Sequence, residues 1–150
     1  MDATNQMKNG ESAGRTTKVL VVEDEALIRL ALVDFMTESG LEVLEASCAA
    51  EAIGVLQSEA NGVGVVFSDI RMPGELDGLG LLSWLRDNRE GVAMILTSGD
   101  LKQANAAKEL GADADFVAKP YTLHAARGAI LRALTGSSCG SDESNGENSE

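Results

Sequence analysis

The sequence predicts an α/β fold, a single parallel sheet covered by helices on both faces, and three observations carry that prediction. Five short apolar runs alternate with five stretches of helical periodicity, the rhythm of repeated strand–helix units. Two of the runs, Val19-Leu20-Val21-Val22 and residues 63–67, are continuously apolar, as strands buried on both faces must be. Charged residues also stand just after three of the runs: Glu23 and Asp24 after the first, Asp69 after the third, and Lys119 after the last. In a parallel sheet the carboxyl ends of the strands share one edge, where ligands bind.

The elements follow in order. Residues 18–22 form the first strand and 25–39 the first helix, which Gly40 ends. Residues 41–45, Leu-Glu-Val-Leu-Glu, carry two acids and so suit an edge strand. A second helix over 48–59 opens at Cys48 and leads into the third strand, 63–68. Pro73-Gly74 then breaks the chain before a helix over 78–87. A strand at 92–97, a helix at 101–110 ended by Gly111, a strand at 115–118 and a helix at 123–134 complete the series. With the first strand central and the second at the edge, the pattern fits the flavodoxin-like order 2-1-3-4-5. That fold is a (βα)5 three-layer sandwich.

Composition bounds the function. The chain has 150 residues, enough for one domain with a full core, and a hydrophobic fraction of 44%, ordinary for a soluble globular protein. No apolar stretch is long enough to span a membrane, and the polar run from Met1 to Thr17 gives no sign of a signal peptide. A formal charge of −12 argues against a nucleic-acid surface, which needs a basic stripe. Residues 1–16 and 136–150 are rich in Asn, Ser, Gly, Asp and Glu, and both are expected to be disordered tails around a domain over 17–135. Asp142, Glu143, Glu147 and Glu150 make the second tail acidic. Cys48 and Cys139 read as unrelated residues rather than a disulfide, in keeping with a reduced, cytoplasmic setting.

Folding in this topology gathers Glu23, Asp24 and Asp69 into one acidic pocket with Lys119 at its rim. Clustered carboxylates repel one another, and a divalent cation such as Mg²⁺ is the usual relief. The chemistry this points to is phosphoryl transfer to a carboxylate.

Four motifs carry a family resemblance: Val-Leu-Val-Val-Glu-Asp-Glu (19–25), Ser-Asp-Ile-Arg-Met-Pro-Gly (68–74), Leu-Thr-Ser-Gly (96–99) and Lys-Pro-Tyr (119–121). Together they resemble the receiver domain of two-component response regulators, over about residues 17–135. The resemblance implies that Asp69 is the phosphoacceptor, that Asp24 and Asp69 are Mg²⁺ ligands, and that the backbone carbonyl of Arg71 completes the protein's ligand set. Glu23 stands where many relatives carry Asp, and its longer arm implies action on the metal through water. Glu25 reads instead as an acid at a helix N-terminus. Lys119 corresponds to the lysine that pairs with a phosphoryl oxygen, and with the acceptor aspartate beforehand. Thr97 corresponds to the switch hydroxyl, preferred over Ser98 because its interval to Lys119 matches the family spacing. Phe116 occupies the aromatic switch position, where a ring without a hydroxyl favours an inward, buried rotamer.

The loop after Asp69, through Met72-Pro73-Gly74-Glu75-Leu76-Asp77-Gly78, is one residue longer than the commonest receiver loop. Arg71 and Gly99 fall at positions that flank the attacking water in the family, and so bear on phosphoryl lifetime. His124, the single histidine, reads as a partly exposed helix residue, Trp84 as packing, and Cys48 as a small apolar residue. An aspartate-nucleophile phosphatase of the haloacid dehalogenase type fits poorly, because it wants an Asp where Arg71 stands. A nucleotide-binding module fits poorly too, because Glu23-Asp24-Glu25 replaces the Gly-rich phosphate loop. A receiver that never takes phosphate and serves as a docking module is the closer rival.

The expectation is therefore a stand-alone receiver, a signalling domain rather than an enzyme. It takes a phosphoryl group from a histidine kinase or histidine phosphotransfer protein with Mg²⁺, and either controls a partner through the face formed by 101–110, 115–118 and 123–134 or drains phosphate as a sink. An effector protein, or a second copy of the chain, is expected on that face, with no nucleic acid or membrane as partner.

Overall fold

The computed structural model describes residues 18–58, 62–89, 91–100, 102, 105 and 114–135. Five strands form one sheet: β1 (Lys18–Val22), β2 (Glu42–Ala46), β3 (Val63–Asp69), β4 (Ala93–Ser98) and β5 (Ala114–Ala118). Their order is β2-β1-β3-β4-β5, and every neighbouring pair is parallel. The described helices are α1 (Ala26–Glu38), α2 (Ala49–Ser58), α3 (Gly78–Asn88) and α4 (Leu123–Leu134). Of the helix expected at 101–110, Lys102 and Asn105 are described and helical, and the other positions lie outside the described residues. Gly111 and both expected tails lie outside them as well.

Alternation along the strands divides the core in two. Leu20 and Val22 of β1 face one way and join Val66, Met94 and Leu96 under α2 and α3. Val19 and Val21 face the other way and join Val65, Phe67 and Ile95 under α1 and α4. β3 is buried along its whole length, which explains its unbroken apolar run. β2 is an edge strand whose Glu42 and Glu45 remain exposed, paired with Lys18 at 3.9 Å and Arg29 at 3.1 Å.

Local chemistry sets the element ends. Gly40 takes φ +93°, closing α1 while the Leu41 amide donates to Met36 O at 3.1 Å. Cys48 stands just before α2, and its carbonyl accepts the helix's first hydrogen bond, from Ala52. Glu51, in the first turn of α2, turns back to accept from the Ser47 amide and hydroxyl at 2.5 and 2.7 Å. Asp77 caps α3 by accepting from Leu79 and Gly80, and Thr122 caps α4 by accepting from Ala125 at 2.9 Å. Element bounds differ from the sequence reading by single residues; among them, Asp69 does not follow β3 but ends it, in register with Thr97 of β4.

Candidate functional site

The strand order explains why distant residues meet. β1 and β3 are neighbours, so Glu23 and Asp24, just past β1, come beside Asp69. One strand further, Asp69 is in register with Thr97, and Ser98 with Ala118, which delivers Lys119 to the same edge. The Lys119 amide donates to Ser98 O at 3.0 Å, so this delivery is fixed by backbone pairing.

Lys119 Nζ donates to Asp69 Oδ2 at 2.8 Å. Asp69 is 7% exposed and Glu23 3%, whereas Asp24 is open to solvent. Oxygens from all three acids lie within 4.8 Å of one another. Mg²⁺ takes few protein oxygens and keeps several waters, so this all-oxygen, partly solvated set suits that ion. Asp69, Arg71, Ser98, Gly99, Asp100 and Lys119 line a hollow of about 420 Å³. A second, of about 440 Å³, is lined by Asp24, Arg71, Met72, Pro73 and Asp77. The exposed Arg71 thus stands between the acceptor carboxylate and the outer acid.

The charges act on one another. Burial raises the Glu23 carboxyl above its ordinary value, the Glu25 amide pulls it back, and the nearby Asp69 charge raises it again. Lys119 ends above its ordinary value: burial alone would lower it, but the hydrogen bond and charge of Asp69, with Glu23 and Asp24, outweigh that. Tyr121 is pushed up to about 12 by burial and then by Glu23 and Asp69, so it stays neutral. Its ring packs edge-on against Phe67 at 5.7 Å.

A raised Glu23 makes ionisation costly to the folded state. This group's contribution to stability is most favourable below the ordinary glutamate range, falls as pH rises through it to the higher folded value, and stays reduced at neutral pH. Gln keeps an oxygen for the Glu25 amide, which donates to Glu23 Oε2 at 3.0 Å. Glu23→Gln should therefore raise the melting temperature at pH 7 without Mg²⁺, remove that fall with pH, and weaken Mg²⁺ binding. An unchanged melting temperature at pH 7 would contradict this assignment.

Glu23, Asp24, Asp69 and Lys119 come together as the sequence suggests, with Thr97 buried beside Asp69 on the next strand. Ser98, not Thr97, is on the wall of the acceptor hollow, where its Oγ accepts from the Asp100 amide at 2.9 Å. Phe116 is half-buried against the α2–α3 side of the core. Glu25 occupies the cap position of α1 without a capping side-chain bond. His124 is exposed and packs edge-on against Phe35 at 5.1 Å.

Sequence reasoning missed three contributors. Gly78 lies so close to the backbone of Asp69 and Ile70 that a Cβ would overlap both, and its amide donates to Ile70 O at 2.8 Å. Tyr121 is half-buried near the acids. Arg29 reaches back from α1 to Glu23 O at 2.7 Å. For Arg29 a signal existed: a helical Arg one turn beyond an acidic strand end can fold back on it.

A doubly wound domain whose strand ends converge three acids on a paired lysine is built to hold small charged ligands. The family model for the response regulator receiver domain matches residues 19–131. The chain is 36% identical over 135 residues to "Probable transcriptional regulator ycf27" of Cyanophora paradoxa, covering 87% of this chain and 55% of that protein. It is 37% identical over 107 residues to the sensor kinase CckA of Brucella abortus, covering 70% of this chain and 11% of the kinase. A "Probable chemotaxis protein CheY" of Rhizobium etli is 32% identical and matched over 79% of this chain and 93% of its own length. Among solved structures, a receiver domain protein from Clostridium thermocellum superposes with a TM-score of 0.72 at 30% identity, covering 81% of this chain and 96% of that one. The chain belongs to the receiver domain family of two-component response regulators. It spans about half the length of the ycf27 protein and a small part of the kinase.

Proposed function

We propose that residues 17–135 form a phosphorylation-operated switch in which Asp69 receives a phosphoryl group from a histidine kinase or a histidine phosphotransfer protein. The observation that carries this reading is the 2.8 Å Lys119–Asp69 pair, set at the strand edge beside two further carboxylates. An Asp69 oxygen attacks phosphorus, the phosphorus–nitrogen bond to the donor's imidazole breaks, and its electron pair returns to the ring, leaving an acyl phosphate. Lys119 holds an Asp69 oxygen beforehand and exchanges it for a phosphoryl oxygen afterwards, which a flexible point charge can do. Asp24, Asp69 and the Arg71 carbonyl hold Mg²⁺, with Glu23 acting through water. The ion supplies neutralisation of charge on the phosphoryl oxygens. Thr97 then closes on the phosphoryl group and Phe116 fills the space behind it, biasing the face that includes β5 and α4 toward an effector or a second copy of the chain.

The donor's docking place follows from a groove beside the site. Leu27, Ile28 and Ala31 of α1 face Pro120, Tyr121 and Leu123 across about 660 Å³, with Lys119 at its end. Leu27 is 80% exposed and stands with Ile28 and Leu30, also exposed, in an apolar patch of the kind that marks interaction sites. The occupant in this reading is the helical surface that carries the donor's phosphohistidine, because the groove is apolar and includes Lys119, the residue bonded to Asp69. No helix among the described residues is long and apolar enough to cross a membrane, and a cytoplasmic setting completes the proposal.

The test uses two donors. Wild type with Mg²⁺ should gain one phosphoryl group from phosphoramidate by intact mass, and none after chelation. Leu27→Asp should keep that small-donor reaction yet accept from a phosphohistidine protein about tenfold more slowly, the loss of a modest contact of about 1.4 kcal/mol. No uptake from either donor by wild type would refute the switch. Equal protein-donor rates would refute the docking groove alone.

A further inference from the structure

We propose that Arg29 is a positioning residue for the metal-binding turn Glu23-Asp24-Glu25, an inference that rests on the acid cluster being an Mg²⁺ site. Arg29 lies in the first turn of α1 but turns its side chain back toward the strand end. Its Nη1 donates to the Glu23 backbone carbonyl at 2.7 Å, and its Nε donates to Glu45 Oε1 of β2 at 3.1 Å. The side chain is only 21% exposed, although its Glu45 partner is open at 55%.

These two bonds complete a frame around the turn. The Glu23 amide donates to Ala46 O of β2 at 3.1 Å, and the Glu25 amide donates to Glu23 Oε2 at 3.0 Å. The Arg29 amide donates to Glu25 O at 2.9 Å. Glu23 O is the carbonyl at the strand end where the turn begins, and the Arg29 guanidinium bonds it. The bond is charge-assisted and short, the kind that fixes a geometry. Asp24, the exposed acid between the two anchored residues, has its backbone placed by this frame. Glu45, reaching across from the edge strand, in turn fixes the guanidinium.

Charge and position make opposite demands here. A guanidinium bonded to the backbone of the turn that carries Glu23 and Asp24 repels an incoming cation, so on Coulomb's law its removal should tighten Mg²⁺ binding. If Arg29 instead orients the ligands, its removal should loosen binding, as loss of a supporting partner around a metal site does by 10–100-fold. The sign of the change therefore separates the two roles.

The experiment is calorimetric titration of Mg²⁺ into wild type, Arg29→Met and Arg29→Lys, with thermal melts in chelator to establish folding. Arg29→Met should bind Mg²⁺ roughly tenfold more weakly despite the lost positive charge. Arg29→Lys, which keeps the charge but replaces the rigid two-nitrogen fork with a single ammonium, should fall between the two. Unchanged or tighter binding by Arg29→Met would overturn the inference. Should that variant not fold, Arg29→Lys decides: weaker binding at equal charge supports positioning, and wild-type affinity refutes it. A wild type that binds no Mg²⁺ would instead refute the metal site itself.

Discussion

Asp69→Asn should abolish phosphoryl uptake from every donor while leaving the fold intact. The amide is not a nucleophile, yet it matches the carboxylate in shape and keeps an oxygen to accept from Lys119, now 2.8 Å away. The cost of the lost charge pair is offset, because one negative charge also leaves the crowd formed with Glu23 and Asp24. A net stability change within about 1 kcal/mol is expected, close to that of a partly exposed ion pair. Intact mass after incubation with phosphoramidate and Mg²⁺ checks the first part, and urea unfolding checks the second. Undiminished phosphorylation of Asp69→Asn would place the acceptor elsewhere.

Gly78→Ala should damage both stability and function, whereas Gly54→Ala should stabilise. At Gly78 a Cβ would overlap the Asp69 carbonyl oxygen and come 2.7 Å from Ile70 Cα. Those atoms are backbone, so relief moves either the start of α3 or the end of β3 that carries the acceptor. Overpacking of this kind costs about 1–3 kcal/mol, and a shift of the β3 end would lower Mg²⁺ affinity and phosphoryl uptake with it. At Gly54, inside α2, a Cβ would meet nothing within 4 Å. There the alanine gains about 0.5–1 kcal/mol of helix propensity. Urea midpoints moving in opposite directions would bear this out, and a tolerated Gly78→Ala with normal uptake would contradict the close approach.

The sheet was legible because its signals are local. The unbroken apolar run of β3 and the acids of Leu-Glu-Val-Leu-Glu separate a central strand from an edge strand before any contact is known. Asp24, Asp69 and Lys119 were legible because strand ends in a parallel sheet share an edge, so their meeting needs only the strand order. What escaped depends on three-dimensional approach. Nothing in the residues around Gly78 announces that the start of α3 presses on the end of β3. Glu23 reads as a longer arm toward a metal, but folding buries it and engages one of its oxygens with the Glu25 amide. Arg29 drew no reading from the sequence, although an Arg one turn past an acidic strand end can fold back on it, as its guanidinium does on Glu23 O. Asp69 falls inside β3 rather than after it because pairing with β4 continues through Thr97.

The most direct measurement is a set of amide NMR spectra with Mg²⁺ and then beryllofluoride, which mimics a phosphoryl group on a carboxylate, for wild type and Asp69→Ala. Wild type should show shifts at Asp24, Asp69 and Lys119 that spread to Thr97 and Phe116, and Asp69→Ala should show no beryllofluoride response. Shifts confined to the Mg²⁺ site, or an equal response from Asp69→Ala, would contradict a switch driven from Asp69.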